Sequence, residues 1–335
     1  MPRAVVLGGT GSIGQAVAQR LTPAGWSVEL TGRTAGRLPE ELLRAGVEFR
    51  QADRSDTQML SETMSGGADL LVDCACYTAV DARSLIPFLA DVESTVMISS
   101  KAVYVDEWGR HVNSDSPPHF PLPIRESQPT VAPADRDYRT AAGYAPNKVA
   151  AEQVLLNSGA PVTILRPSKI HGAGALRPRE WVFVKRVLDH RPAVFLARRG
   201  EGIDHTSAAA NIAALVERVA AVPGRRILNS ADPDAPSALE IARVVAEHLN
   251  HEWQEVLLDQ RNDGLGSHPW EAAFPIVLDT GAALELGYQP AGSYADTATA
   301  EIDWLVNEPS RRPAVDDLFF APFLDYEAED RYLGG

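Results

Sequence analysis

Cysteine and positive charge are scarce in this chain of 335 residues, and each scarcity removes a class of function. Two cysteines, Cys74 and Cys76, are too few for a disulfide framework or a structural zinc site, so no metal is expected. They lie two apart in the apolar run 70–75 and read as small buried residues on opposite faces of one strand, unable to bridge. Lys and Arg number 31 against 45 Asp and Glu, a net charge of −14. That balance opposes attraction to a phosphate backbone, so nucleic acid is not an expected partner. No apolar run approaches the roughly 20 residues that span a bilayer, and no basic, apolar leader precedes the first strand. A cytoplasmic protein without membrane contact is expected, and no repeat of solenoid period appears.

What is present begins with GGTGSIG, which joins an apolar strand at 4–7 to a helix at 13–21. In such a turn Gly8, Gly11 and Gly14 divide the work. One allows backbone angles other residues avoid, one lets a pyrophosphate approach the main chain, and one lets helix and strand pack closely. The helix then presents free N–H groups and its positive dipole end to the phosphates. Further strands are expected at 27–31, 47–51, 69–75 and 95–99, with helices at 57–64 and 80–91, the latter kinked at Pro87. This alternation predicts an α/β fold with a doubly wound parallel sheet, whose ligands bind beyond the carboxyl ends of the strands. At about 150 residues per domain the length suits a second, smaller C-terminal lobe.

Periodicity vanishes from 105 to 139, where Pro117, Pro118, Pro121, Pro123, Pro129 and Pro133 fall; so long an irregular stretch is expected to border the substrate. A helix at 145–157 follows, with Pro146 in its first turn, then a strand at 161–165 ending in Arg166-Pro167. Helix 181–189 and strand 193–197 interrupt the alternation, helix 208–222 returns to the sheet, and 226–230 is its last strand. Helix 237–249, strand 255–258 and helix 294–306 complete the regular elements. The expected division is therefore 1–167, rejoined by 204–231, for the dinucleotide, and 168–203 with 232–315 for the substrate. The acidic, aromatic tail 316–335 either clamps onto the body or a partner chain, or is disordered.

The second strong signal is YAPNK, which sets Tyr144 and Lys148 one helical turn apart on one face. A phenol titrates ordinarily near about 10, and an adjacent ammonium with an oxidised nicotinamide favours the phenolate. Such a phenol can take or give a proton near neutrality while the lysine also reaches ribose hydroxyls. Ser100, at the end of the strand 95–99, is placed to hydrogen-bond a substrate oxygen; its competing reading is a turn cap. No carboxylate ends the strand 27–31, but Arg33 stands there, and an arginine in that place pairs with a 2′-phosphate, which favours NADP over NAD. Asp53 lies where the adenine edge would be, or else caps the helix 57–64.

In order along the chain, GGTGSIG, SSKAVY, PIRES, YAPNKVAAE with Glu152, ILRPSKIHGAG and LGYQP resemble the extended short-chain dehydrogenases/reductases of the NAD(P)-dependent epimerase/dehydratase family. The resemblance implies a Rossmann domain for the cofactor, a smaller substrate lobe, and Ser100, Tyr144 and Lys148 as a catalytic triad. It places Gly8, Thr10, Gly11, Ser12, Ile13, Gly14, Arg33, Asp53, Ala75 and Pro167 against the cofactor with Tyr144 and Lys148. It implies a small-molecule substrate and a homodimer formed through helices flanking the sheet. Two departures stand out. Lys101 and Ala102 replace the Asp-Glu pair that 4,6-dehydratases of the family carry, and Asn211 replaces an aspartate common in its sugar-nucleotide enzymes. The activity expected is hydride exchange between a carbonyl and a secondary alcohol on a small polar or sugar-like substrate. An epimerase is the alternative, and a non-catalytic dinucleotide sensor a weaker one. Lys101, Lys169, His171 and His205 are the candidates for the substrate pocket.

Overall fold

The structure, a computed structural model, describes residues 1–36, 38–260, 264–314 and 316–334; Val315 and Gly335, at the ends of the expected lobe and tail, lie outside these. In chain order the strands are β1 (Arg3–Leu7), β2 (Ser27–Gly32), β3 (Glu48–Gln51), β4 (Ala68–Asp73), β5 (Val92–Ile98), β6 (Val162–Pro167), β7 (Lys169–His171), β8 (Ala193–Leu196), β9 (Thr206–Ala208), β10 (Arg226–Ser230) and β11 (Gln254–Leu257). The helices are α1 (Ser12–Leu21), α2 (Glu40–Arg44), α3 (Thr57–Met64), α4 (Ala79–Leu85), α5 (Ala141–Leu156), α6 (Trp181–Leu188), α7 (Ala209–Ala221), α8 (Ala238–His248), α9 (Gly281–Glu285), α10 (Tyr294–Asn307) and α11 (Tyr326–Leu333).

Seven strands pair in parallel in the order β10-β6-β5-β4-β1-β2-β3. The order reverses between β1 and β4, and a crevice opens there beyond the strand ends. Because successive side chains alternate, neighbours in one strand feed opposite layers. Val6, Leu70 and Val72 pack with α1 and α7 on one face, whereas Val5, Leu7 and Leu71 pack with α3, α4 and α5 on the other. Both faces are thus covered, and β1 reads as an unbroken apolar run for that reason. A separate core joins α6, α8 and α10 around Trp270 and Phe320, beside the two-stranded sheet of β8 and β11. Among the described residues no helix is long and apolar enough to cross a membrane.

Several local expectations change. Pro146 is in the interior of α5, not its first turn, because the helix starts at Ala141 behind the cap Thr140, whose side chain accepts from the Gly143 N–H. The ring removes one ladder bond near the exposed residues Ala141 and Ala142, where water can serve the freed carbonyl. Asp56, not Asp53, caps α3, accepting from Gln58 and Met59. The two cysteines are free and do end in different layers, Cys74 against the α1 side and Cys76 in the α5 side. Strand alternation is not the cause, since residues two apart share a face. The chain leaves β4 at Asp73 and turns before it reaches them.

The stretch 104–140 has no helix or strand beyond the 3-10 turn that ends at Val103, yet Phe120 and Ile124 are buried and Asp106 gathers the N–H groups of Trp108, Arg110 and His119. The described part of the tail, 316–334, packs on the body. Glu329, 2% exposed, pairs with Arg186 at 2.5 Å and Arg191 at 3.2 Å, and the Tyr326 hydroxyl donates to Asp189. Loss of that carboxylate leaves a guanidinium buried without its counter-ion. Glu329→Ala is therefore expected to cost about 3–5 kcal/mol of stability, measured by urea unfolding. A loss below about 1 kcal/mol, the worth of an exposed pair, would show that α11 adds little.

Candidate active site

The turn after β1 is built as tightly as its sequence demands. Gly8 has φ +71°, and a Cβ there would meet that of Ala75 at 3.0 Å, so the ends of β1 and β4 touch at this point. A Cβ on Gly14 would come within 2.4 Å of the Gly9 main chain, and Gly32 must be bare because Thr10 packs on it. Gly11 differs: a Cβ there would meet nothing within 4 Å. It precedes α1 with no side-chain cap, and the first turn of that helix carries no acidic residue. The open side of the turn and the uncapped helix start fit a pyrophosphate. Ser12 and Ile13 open α1, and the Gly9 N–H closes the turn onto Thr31 O at 2.8 Å.

Beside this turn, the Ala52 N–H donates to Gly32 O at 2.9 Å and so aligns the ends of β2 and β3. Arg33 and Asp53 follow those ends and are both exposed. The Asp53 carboxylate accepts from the hydroxyl and N–H of Ser55, which, with the nearby Arg33, hold it below its ordinary range. Buried Asp73 at the end of β4 caps the Ala75 N–H and binds Arg54.

Lys148 is 2% exposed, and its ammonium donates to Cys76 O at 2.8 Å and Ile98 O at 2.9 Å. Those carbonyls belong to the chain leaving β4 and to the end of β5. A third N–H remains, and among the described residues nothing else takes it. Burial pulls this ammonium down, but the acidic groups around it, Tyr144 and Tyr77 foremost, outweigh burial and hold it above its ordinary value. The Tyr77 ring lies 4.5 Å from Nζ and the Tyr144 ring 5.9 Å. Tyr144 is half-buried, and among the described residues its hydroxyl has no hydrogen-bond partner. Ser100, also half-buried, accepts from the Ala102 N–H at 3.1 Å as the cap of the turn Lys101–Val103, so its own proton stays available. Capping and substrate binding are compatible here. Beneath these groups, Glu152 accepts from the Ser99 hydroxyl and from Arg166 and so locks α5 to the ends of β5 and β6. Pro167, buried, ends β6 beside them.

The four candidates for the substrate side separate. Lys101 and Lys169 meet the same carboxylate, Asp204, and Lys169 also donates to Pro269 O at 2.9 Å. Neither histidine opens onto the cleft. His205 accepts at Nδ1 from the Leu278 N–H, so its Nε2 donates to the Asp232 and Asp234 carbonyls and the neutral ring ties loops together. His171, 2% exposed, pairs through Nε2 with Asp232 at 2.8 Å. Asn211 is likewise internal, its amide bridging Asp232 and the 291–292 main chain. Sequence reasoning missed Tyr77, stacked on Tyr138 with centroids 5.0 Å apart, and the buried hub Asp232. Tyr77, two residues past Ala75, carried a positional signal; Asp232 carried none, because its partners come from distant segments.

The family description "NAD dependent epimerase/dehydratase family" matches residues 4–200, more than half of the chain. The chain belongs to this family. No curated protein matches the sequence. Among solved structures, the Bordetella bronchiseptica enzyme WbmH in complex with NAD+ shares 15% identity at TM-score 0.70, covering 92% of this chain and 99% of that one. UDP-N-acetylglucosamine 4-epimerase from Bacillus cereus shares 18% at 0.68, covering 92% and 100%. The dTDP-glucose 4,6-dehydratase from Bacillus anthracis, complexed with NAD, shares 11% at 0.68, covering 92% and 98%. At these identities the likeness is one of fold, and it covers this epimerase/dehydratase family member almost end to end.

The His171–Asp232 pair has a definite pH signature. Burial opposes charge on the imidazole, but Asp232, with Glu180 and Asp234 adding, raises it above its ordinary value. Burial likewise opposes the Asp232 carboxylate, but His171 and the Ala208 N–H bring it down to about 2. A raised histidine stabilises fully below its unfolded pKa of roughly 6.5 and loses that contribution as pH rises through its folded pKa. A depressed carboxylate stabilises above roughly 4 and loses it in acid. Denaturant midpoints should therefore fall as pH rises from about 6 to 9 in the native protein and fall less in Asp232→Asn. Parallel profiles would show that the pair is uncharged.

Proposed function

We propose that this protein is an oxidoreductase that interconverts a carbonyl and a secondary alcohol on a small polar or sugar-like substrate. The observation that carries the reading is the Lys148 ammonium, pinned between two strand-end carbonyls one helical turn from a Tyr144 hydroxyl that has no hydrogen-bond partner among the described residues. The open face at Gly11 and the uncapped start of α1 support a dinucleotide whose pyrophosphate lies there. When bound, the nicotinamide gives or takes the hydride. Lys148 holds ribose hydroxyls with its remaining N–H and keeps a positive charge beside the phenol. Tyr144 takes the proton from the alcohol or gives it to the carbonyl, and Ser100 donates to the same oxygen and orients it. The exposed Arg33 at the end of β2 supports a 2′-phosphate, hence NADP, within a family described as NAD dependent. A homodimer in the cytoplasm accompanies this reading; Val80 and Ile86, exposed on and just beyond α4, offer apolar surface to a second copy.

A second reading, epimerisation through oxidation and reduction on opposite faces of one carbon, is favoured by the family match and by the epimerases among the solved structures. It uses the same three side chains. Dehydration is disfavoured, since Lys101 and Ala102 supply no carboxylate to eliminate water. The test is Tyr144→Phe on a panel of carbonyls, secondary alcohols and nucleotide sugars, each with NADP and with NAD. Turnover should fall by at least about a hundredfold while dinucleotide affinity is kept. Net change in reduced nicotinamide marks an oxidoreductase, and product without such change an epimerase. Unchanged turnover in the variant would overturn both.

A further inference from the structure

We propose that Tyr77 is a positioning residue of this site, whose ring holds the Lys148 ammonium beside the Tyr144 phenol and so sets the proton transfer of that phenol. The inference rests on the redox reading of the same site and adds a further side chain to it. The Tyr77 ring centroid lies 4.5 Å from Lys148 Nζ, closer than the 5.9 Å of the Tyr144 ring, and the two rings stand 6.5 Å apart at 56°. One turn of chain supplies two contacts to the cation, since Cys76 O accepts from Nζ and Tyr77 is the next residue. That turn is fixed. The Tyr77 N–H donates to Asp81 Oδ2 at 3.0 Å, within the capping box that Thr78 and Asp81 form at the start of α4. The Tyr77 ring is also stacked on Tyr138, with centroids 5.0 Å apart and planes 17° from parallel. Tyr138 is held in the turn before α5, where the Asp137 carbonyl accepts from the Thr140 hydroxyl and the Asp137 carboxylate from the Arg139 N–H.

A buried ammonium can be held by a carboxylate, but a negative charge in that place would oppose a phenolate at Tyr144. An aromatic face attracts the cation and leaves its field intact. Among the described residues Lys148 makes no ion pair, and the nearby carboxylate of Asp73 is taken by Arg54 and the Ala75 N–H. The other titratable groups that act on Nζ are Tyr144 and Cys76, whose thiol is pushed up by burial and stays protonated. Burial also holds the Tyr77 phenol above its ordinary range, so it stays neutral. Among the described residues its hydroxyl has no hydrogen-bond partner, and what it brings to the site is the ring.

The experiment follows Tyr144 itself, by NMR of protein carrying tyrosine isotopically labelled at the phenol carbon, titrated without dinucleotide or substrate. The spectrum of Tyr144→Phe identifies its resonance. Tyr77→Leu should raise the Tyr144 midpoint by about half a pH unit or more, the worth of one cation–π contact. Tyr77→Phe keeps the ring and should keep the midpoint, which separates the action of the ring from loss of folding. The acid limb of kcat/KM for oxidation of the best alcohol in the panel above should move by the same amount in Tyr77→Leu and stay in Tyr77→Phe. An unmoved Tyr144 midpoint in Tyr77→Leu, or equal shifts in both variants, would overturn the proposal. A limb that stays put while Tyr144→Phe abolishes turnover would overturn it too. Because the titration needs no turnover, it tests the contact among the three side chains by itself, whereas unchanged turnover in Tyr144→Phe counts against the redox reading alone.

Discussion

A buried ammonium must be satisfied by fixed acceptors, and the placement of Lys148 between the carbonyls of Cys76 and Ile98 is the constraint on which the site depends. Those carbonyls come from the exits of β4 and β5, so the cation reaches both only because these strands are neighbours in the sheet. Lys148 is also the middle of a line on α5. Tyr144 lies one turn before it and Glu152 one turn after, so all three face the strand ends. Each does a separate task. Tyr144 is left at the cleft, Lys148 is anchored in the crevice, and Glu152 joins Ser99 and Arg166 underneath. The helix is thus anchored at its middle by Lys148 and one turn further on by Glu152.

Local signals were legible in the sequence and distant ones were not. The glycine turn reads correctly because its tightest demand is met within a few residues, Gly14 against Gly9, whereas the Ala75 that Gly8 faces lies far along the chain. The strands read correctly because a sheet covered on both faces leaves continuous apolar runs. The start of α5 was misplaced because Pro146 suggests a first turn, whereas Thr140 and Gly143 had already begun one. The short elements β7, β9, α2 and α9 went unseen, since runs of three to five residues leave no periodicity to count. His205 and His171 looked like ligands for a substrate because a histidine's partners cannot be read from its neighbours in sequence. The structure gives them Leu278 and Asp232, more than 60 residues away in each case.

Charge is distributed against the grain of the composition. The chain is acidic overall, yet Lys148 stands buried at the ends of the central strands. Part of that positive charge is held by main-chain carbonyls, which satisfy the donors without cancelling the field. Acidic residues are spent elsewhere, as in the Glu329 clamp on Arg186 and the Asp232 hub that joins His171 to Asn211.

The most direct test of the central claim is a crystal structure of the protein with its preferred nicotinamide dinucleotide bound. The account predicts the pyrophosphate at Gly11, the Lys148 ammonium within about 3 Å of the ribose hydroxyls, and the Tyr144 hydroxyl facing the nicotinamide ring. A dinucleotide seated away from Lys148, or a nicotinamide ring out of reach of Tyr144, would contradict it.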